Sequence, residues 1–266
     1  MKGIVLHSIV PVRAEAREGA EQNTQMLFGE LCSIVESRKP EVESDRWRYV
    51  RLEADGQEGW VDAKMVTPMK DEEYRDYQKA YKDAALVAFP MAYAVSENNG
   101  QTIPLTAGTR LTRYSSGHFE VLGVGFRIDP SMVITEPKTL TQENLLQTVR
   151  FFLNVPYLWG GKNALGMDCS GFTQVIMSLF GKHLLRNASE QVTQGRSITD
   201  PSKIKAGDLL FFDHHDGKIS HVGIAIDPER VIHCSGRVKV EKLDEHGIYS
   251  AEQDQYTHHL VCIKRL

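Results

Sequence analysis

The stretch Asp168-Cys169-Ser170-Gly171-Phe172 decides the fold of the second half of this chain, because it marks the start of a helix. Asp168 is a residue type that caps helix N-termini, so Cys169 falls in the first helical turn. The free amides and the positive dipole end of that turn favour a thiolate over a thiol. The sequence therefore predicts that Cys169 is a nucleophile with a pKa below the usual value of about 8.5. A buried structural cysteine is the alternative interpretation.

The residues after Cys169 carry the apolar spacing of an amphipathic helix. Apolar side chains recur at intervals of three and four residues, at Phe172, Val175, Ile176, Leu179 and Phe180. Gly181 follows as a stop signal, which predicts the end of the helix there.

The sequence after residue 219 is typical of a β-hairpin. Two apolar segments, 220–226 and 230–236, flank a turn at 227–229. If the loop has three residues, Ile226 pairs with Arg230 and the histidine of each segment lies on one sheet face. A two-residue loop would change the parity and separate the histidines onto opposite faces.

These histidines, His221 and His233, are the candidate partners of the cysteine. A thiol hydrolase needs a base that is distant in sequence but close in the fold. We expect His221 to take the Cys169 proton while His233 orients the imidazole of His221. The alternative interpretation is that both histidines only occupy a polar sheet edge.

Residues 140–266 resemble the NlpC/P60 cysteine peptidases, which cut the peptide stems of bacterial cell-wall murein. The resemblance is carried by six ordered segments, at 155–161, 168–172, 187–191, 205–212, 221–224 and 231–233. It implies a papain-like α+β domain with Cys169 as nucleophile, His221 as base and His233 as orienting residue. One departure is Asn187, where family members often carry Asp, so helix capping at that position is less certain.

Short apolar runs separated by turn residues precede this domain and are typical of small β-barrels. Strands are predicted at 10–13, 26–30, 31–35, 47–52, 59–61, 86–89, 109–114 and 119–124. The pattern Trp47-Arg48-Tyr49-Val50, followed by Gly59-Trp60-Val61, resembles a bacterial SH3-type barrel. Between the two groups of strands, tyrosines at helical spacing predict a connecting helix over 71–83.

The predicted fold class is α+β, with a papain-like NlpC/P60 catalytic domain preceded by two small all-β SH3-like barrels. The predicted domains are 1–70, a linker helix at 71–83, 84–137 and 138–266. A helix that opens at Thr139 and ends near Leu153 marks the catalytic boundary.

Composition excludes several classes of partner. A formal net charge of -4, without a basic run, argues against binding to nucleic acid. No run of 18 apolar residues exists, so no membrane span is expected. The apolar part of residues 1–8 is too short for a signal peptide. The chemistry requires no cofactor, and the sequence does not determine the oligomeric state.

The cysteines Cys32, Cys169, Cys234 and Cys262 lie far apart, without a paired spacing. This favours reduced thiols and a cytoplasmic location. A periplasmic or exported location is the alternative if a signal peptide has been removed. Cys234, which follows His233 on a predicted strand, is expected to face the core.

Two SH3-like barrels before this domain resemble the arrangement of γ-D-glutamyl-L-diamino acid endopeptidases of murein recycling. That resemblance implies a first barrel that closes one end of the cleft, so that the peptide must present a free N-terminal L-alanine. Asp168 and Glu21 are the implied acceptors of its ammonium, although Glu21 equally fits a solvated loop carboxylate. Gln57 replaces a tyrosine that is common in the family, and Tyr49 is a candidate to compensate for it.

The resemblance also implies roles for the remaining site residues. Cys169 would attack the carbonyl that joins the γ-carboxyl of D-glutamate to the diamino acid, which is lysine or meso-diaminopimelate. The Tyr157 hydroxyl would help to bind the oxyanion, and Trp159 would form the cleft wall. Ser170 and Ser189 would bind the free α-carboxylate of D-glutamate, but Ser189 also fits a helix N-cap.

Other functions stay open at the level of sequence. Zinc could be imagined from His214, His215, His221, His233 and Cys234, but no close spacing presents three of these ligands on one face. A non-catalytic module in which the SH3-like barrels bind cell wall is a second possibility. A Cys-His acyltransferase or amidase is a third, because the predicted triad does not determine the acceptor.

Overall fold

The computed structural model describes residues 1–38 and 45–266. The chain divides into two compact units, Met1–Glu136 and Pro137–Leu266. Among the described residues, no helix combines the length and apolar character needed to cross a membrane.

The N-terminal unit begins with a seven-stranded antiparallel sheet in the order β3-β2-β6-β5-β4-β1-β7. Its strands are β1 (Lys2–Val5), β2 (Ile9–Arg13), β3 (Gln22–Leu27), β4 (Leu31–Ile34), β5 (Trp47–Leu52), β6 (Glu58–Asp62) and β7 (Val66–Met69). Alternate side chains of β2 are buried, with Val10 and Val12 fully inside a small apolar core. The sequence prediction missed β1 and β7, which are four residues long and carry little periodicity.

The rest of this unit contains one helix and two further sheets, ordered β10-β9-β13-β12 and β11-β8-β14. Its elements are α1 (Asp71–Lys82), β8 (Ala85–Val87), β9 (Met91–Ser96), β10 (Thr102–Thr106), β11 (Arg110–Leu111), β12 (His118–Val121), β13 (Val124–Ile128) and β14 (Val133–Ile134). Tyr74 and Tyr77 of α1 are buried in one core with Ile4 and Phe28 from the first sheet. The predicted connecting helix is therefore part of this unit's packing and not only a linker.

Three predicted strands of this unit, at 26–30, 109–114 and 119–124, are wrong because each runs into a turn. The segment 119–124 is interrupted by a tight turn, because Leu122 and Gly123 have φ angles of 50° and 76°. Two consecutive left-handed residues are what a two-residue hairpin turn between twisted strands requires. β12 and β13 are accordingly the two arms of a hairpin in which Val121 pairs with Val124.

The C-terminal unit combines helices with a seven-stranded sheet ordered β17-β23-β18-β19-β20-β21-β22. Its elements are α2 (Gln142–Val149), β15 (Lys162–Asn163), β16 (Gly166–Met167), α3 (Cys169–Ser178), α4 (Ala188–Gln191), β17 (Arg196–Ser197), β18 (Leu209–Asp213), β19 (His221–Asp227), β20 (Arg230–Ser235), β21 (Arg237–Asp244), β22 (Gly247–Ser250) and β23 (Gln255–Arg265). Because β22 also pairs with β23, strands β18 to β23 close into a barrel. The helix predicted from Thr139 is shorter than expected, with Thr141 as its N-cap.

The barrel has an apolar interior that includes Phe212, Ala225 and Val231. α3 packs on the outside, against β15, β19 and β20. Residues 169–177 of α3 are all buried except Gln174, because the helix lies between the barrel and the preceding loops. This packing holds the start of α3 close to the strands that carry the two histidines.

The hairpin of β19 and β20 has the register that the sequence predicted, by a different route. Gly223 pairs with His233 and Ala225 with Val231, but Asp227 pairs with Arg230 across a bulge. The connection is shorter than the three residues assumed, and the extra residue in the bulge restores the parity. The two histidines therefore lie on the same sheet face, as predicted.

Candidate active site

The start of α3 is built around Asp168. Its side chain accepts a hydrogen bond from the Gly171 amide at 2.7 Å, which makes it the N-cap that the sequence predicted. The same carboxylate accepts the Gly160 amide at 2.9 Å. Asp168 therefore fastens the first turn of α3 to the loop before it, and Cys169 becomes the first residue of the helix.

Arg186 completes this arrangement and was missed by the sequence analysis. Its guanidinium donates to both Asp168 carboxylate oxygens, at 3.0 and 2.6 Å, and to the Ser170 hydroxyl at 2.8 Å. Arg186 is only 1% exposed, and its bidentate contact with Asp168 neutralises this buried charge. Nothing in the sequence separates it from a surface arginine, because burial comes from the tertiary fold.

Two glycines allow the backbone to close around the site. A Cβ at Gly171 would lie 2.2 Å from the carbonyl oxygen of Gly161, and one at Gly161 would lie 2.3 Å from that of Gly166. Such contacts are impossible for any other residue. Gly161 and Gly171 are therefore required for α3 to approach the loop at this distance.

The Cys169 thiol is buried, with 7% of the residue exposed. The amides of Val222 and Ser170 hydrogen bond to its sulfur, which places the sulfur beside the residue that follows His221. Burial and the neighbouring Asp168 carboxylate nevertheless raise the pKa of Cys169 to about 11. The predicted lowering of this pKa is wrong, because desolvation outweighs the helix N-terminus. The resting group is a neutral thiol.

The two histidines form a hydrogen-bonded chain that ends on an acid. His221 Nε2 lies 2.8 Å from His233 Nδ1, and His233 Nε2 lies 2.8 Å from Glu241 Oε2. An ionised carboxylate only accepts, so Glu241 requires a proton on Nε2 of His233. Neutral His233 then accepts through Nδ1, and His221 donates through Nε2. His221 Nδ1 is left with a lone pair that can take a proton.

The charge states agree with this chain. Burial first, and then the neighbouring His233, hold the pKa of His221 well below its usual value, and burial also lowers the pKa of His233. Burial raises the pKa of Glu241, but hydrogen bonds, that of His233 first, outweigh it and lower the pKa to about 2. The chain at neutral pH therefore carries one negative charge, at its inner end on Glu241.

His258 is a further residue that the sequence analysis missed. Its ring stacks on His221 with 4.2 Å between ring centroids and an interplanar angle of 31°. Burial first, then the nearby histidines His233 and His214, lower its pKa to about 4. A neutral His258 thus forms one wall of the space around the base.

The remaining predicted residues of this unit lie at different depths. The Tyr157 hydroxyl lies near Cys169 and Asp168. Burial first, and then these two residues, raise the pKa of Tyr157, so the hydroxyl stays protonated. Trp159 is 60% exposed. Ser170 is buried under Arg186, whereas Ser189 is exposed on α4. Ser189 is not the N-cap of α4, because Asn187 occupies that position.

Cys234 is fully buried, and its thiol donates to the Met167 carbonyl at 3.1 Å, as expected for a core residue. In the N-terminal unit, Glu21 is exposed. The Tyr49 hydroxyl donates to Glu58 at 3.3 Å. The Gln57 backbone amide donates to the Asp55 carboxylate at 3.1 Å.

Metal ligation was also considered. Within residues 1–38 and 45–266, no three His, Cys, Asp or Glu side chains are grouped so that they could hold a metal ion. His221 and His233 are instead engaged with each other and with Glu241.

Comparison with known proteins places this geometry in a family. The model of the NlpC/P60 family matches residues 154–261, and the model of the bacterial dipeptidyl-peptidase SH3 domain matches residues 12–65. A γ-D-glutamyl-L-lysine dipeptidyl-peptidase of Bacillus subtilis is 30% identical over 79% of this chain and 71% of its own length. The chain belongs to the NlpC/P60 family. It is a cysteine peptidase, and the predicted fold class is confirmed.

Two other similar proteins align with nearly the whole length of this chain. Dipeptidyl-peptidase 6 of Lysinibacillus sphaericus is 27% identical over 94% of each chain. The crystal structure of an NlpC/P60 family protein from Bacillus cereus has a TM-score of 0.80 and 19% identity, and covers 100% of this chain and 99% of its own. This protein and the Bacillus cereus protein therefore share a fold.

Proposed function

We propose that this NlpC/P60 peptidase hydrolyses the bond between γ-D-glutamate and the diamino acid of murein stem peptides, and that it releases L-Ala-D-Glu from peptides with a free N-terminal L-alanine. The observation that carries the proposal is the hydrogen-bonded chain from Glu241 through His233 to His221, with the Cys169 sulfur held by the amide of Val222, the residue after His221. The names of the relatives support the choice of bond, since two are γ-D-glutamyl-L-lysine dipeptidyl-peptidases.

In this proposal Cys169 is the nucleophile and His221 the base. Because both groups are neutral at rest, the thiol proton moves to His221 Nδ1 as the sulfur attacks the γ-carbonyl. The proton then passes to the leaving amine as the C–N bond breaks, and a thioester with Cys169 remains. Water then attacks the thioester while His221 takes its proton. The C–S bond breaks, and His221 returns the proton to the sulfur.

His233 and Glu241 are positioning residues in this scheme. Imidazolium formation at His221 requires a negative charge nearby, and Glu241 supplies it through the His233 ring. The charge is held away from the sulfur, so it stabilises the protonated base without opposing the attack directly.

The tetrahedral intermediate carries an oxyanion that needs donors. The Cys169 backbone amide, in the first turn of α3, is one donor in the proposal. The Tyr157 hydroxyl is the other, because it lies near the Cys169 sulfur and keeps its proton. Trp159, largely exposed, is assigned to the cleft wall.

The substrate groups upstream of the cut bond are assigned by the same proposal. In this proposal Ser170 and Ser189 bind the free α-carboxylate of D-glutamate. Asp168 and Glu21 bind the N-terminal ammonium, with Tyr49 in place of the tyrosine that Gln57 replaces. Support for a free terminus comes from relatives named dipeptidyl-peptidases.

A blocked N-terminus tests the proposed substrate. We expect acetylation of L-Ala in L-Ala-γ-D-Glu-L-Lys to lower kcat/KM by about 10²-fold, because the proposed acceptors Asp168 and Glu21 then lose the charged ammonium. Release of the dipeptide, measured by chromatography, is the readout. Glu21→Gln should reduce the difference between free and blocked peptides, with the exposed Glu36→Gln as control. Equal rates for free and acetylated peptides would exclude the proposed requirement.

The role of Glu241 gives a separate prediction. Glu241→Gln keeps the shape but removes the charge, so we expect kcat to fall about 10²-fold with little change in KM. Without this carboxylate the pKa values of His233 and His221 fall further, so the acid limb of kcat/KM moves to lower pH. The control is Glu229→Gln, an exposed carboxylate in the turn between β19 and β20. An unchanged pH profile in Glu241→Gln would contradict the assigned role.

The cytoplasmic location stays a prediction from the cysteine pattern. All four cysteines are free in the structure, which is compatible with a reducing compartment.

A further inference from the structure

A pocket of about 580 Å³ lies on the C-terminal unit, and it shares His258 with the site described above. Its walls are rich in histidine, and they include His214, His215, His246, His258 and His259, together with Asp213. We call this the histidine pocket. The connection between β18 and β19 supplies part of it, and β23 supplies another part.

The histidine pocket begins directly beside the catalytic base. His258, one of its walls, stacks on His221 at 4.2 Å between ring centroids. His214 contacts His258 in turn, at 5.8 Å. In the proposed mechanism His221 gives its proton to the leaving amine, so the diamino acid must lie next to His221. On the side of His221 that His258 covers, the histidine pocket offers space for the rest of that diamino acid.

The pocket has no spare carboxylate for a cation. Among its lining residues Asp213 is the acid, and it accepts from the His215 amide at 3.1 Å, the Gly217 amide at 2.7 Å and His259 Nδ1 at 2.9 Å. The Tyr256 hydroxyl at the rim donates to Asp244, which is therefore also engaged. An ammonium entering here would meet carboxylates that are already satisfied.

Donors for an anion are present instead. The rings of His214 and His215 make ring contacts, with His258 and His259 respectively. Within the described parts of the chain, no side chain hydrogen bonds to the ring nitrogens of these two histidines. Each imidazole can therefore present an N–H group to an anion. A carboxylate, which only accepts hydrogen bonds, is the ligand that fits these donors.

We infer that the histidine pocket binds a carboxylate of the leaving diamino acid, and this inference rests on the proposed function. Two carboxylates could provide that chemistry. One is the α-carboxylate of a C-terminal diamino acid, and the other is the side-chain carboxylate of meso-diaminopimelate, which lysine lacks. The pocket thereby selects the leaving group, whereas the residues around Ser170 select the acyl side.

Three peptides that share L-Ala-γ-D-Glu test the inference and separate the two sources. The first ends in L-Lys with a free α-carboxylate, the second in L-Lys amide, and the third in meso-diaminopimelate with only its α-carboxylate amidated. Compared with the lysine amide, we expect kcat/KM to rise at least about tenfold for one or both of the others, as for a hydrogen bond to a charged group. The peptide that gains identifies the carboxylate.

The double variant His214→Gln, His215→Asn should remove this preference while it still cleaves the lysine amide at the wild-type rate. His7→Gln, an exposed histidine of the N-terminal unit, is the matched control and should keep the preference. Equal kcat/KM for all three peptides in the wild-type enzyme would overturn the inference, and this comparison does not depend on the variant folding. An equal loss on every peptide in the double variant would also overturn it. Failure of the proposed function looks different, because the wild-type enzyme would then cleave none of the peptides.

Discussion

Cys169→Ala is expected to lower turnover by at least about 10³-fold while the protein stays folded. The reason is chemical, because alanine removes the only sulfur that the Val222 and Ser170 amides hold beside the histidine chain. Stability should change little, since the resting thiol is neutral and small. Turnover of L-Ala-γ-D-Glu-L-Lys and the thermal unfolding midpoint, measured on the same preparation, check both parts.

Cys262→Ala is the matched control for that experiment. Cys262 lies on β23, pairs with Phe211 in the barrel and is half-buried. Its replacement should leave turnover within about twofold of the wild-type enzyme. Retained turnover in Cys169→Ala would refute the assigned nucleophile, and an equal loss in both variants would point to damage to the fold.

The sequence was sufficient to predict the position of the cysteine. Apolar spacing located α3 and Asp168 located its first residue, whereas His221 and His233 share a face because a bulge, which the sequence did not predict, offsets a loop shorter than the one assumed. These predictions rest on local rules of spacing and capping, which the tertiary fold does not reverse here.

Other parts of the site depend on tertiary burial, which no local pattern encodes. Glu241 belongs to a strand in which charged and apolar residues alternate, so it looks like an outward-facing residue. Its contact with His233 exists because β20 and β21 pair, with His233 opposite Lys239. His258 reaches His221 only because β23 closes the barrel.

The electrostatic state of the thiol shows the same limit. Helix position alone predicts a lowered pKa for Cys169, whereas burial and Asp168 raise it to about 11. The sequence gives the dipole end of the helix but not the dielectric around it. In the proposed mechanism the thiol proton therefore moves to His221 as the sulfur attacks.

Arg186→Met is expected to destabilise the C-terminal unit by about 3–5 kcal/mol, because it leaves the buried Asp168 charge without its partner. Hydrogen exchange of the α3 amides measures this, since it reports the free energy of opening that helix. The control is Arg230→Met, which breaks the more exposed pair with Asp227 and should lower stability by about 0–1 kcal/mol.

The double variant Asp168→Asn, Arg186→Met distinguishes an unpaired charge from lost packing. Asparagine still caps α3 but carries no charge, so the double variant should recover part of the stability that Arg186→Met loses. If the two variants are equally unstable, the guanidinium acts through its volume and its contact with Ser170, and not through neutralisation of Asp168. If Arg186→Met is as stable as Arg230→Met, the ion pair does not hold the start of α3 in place.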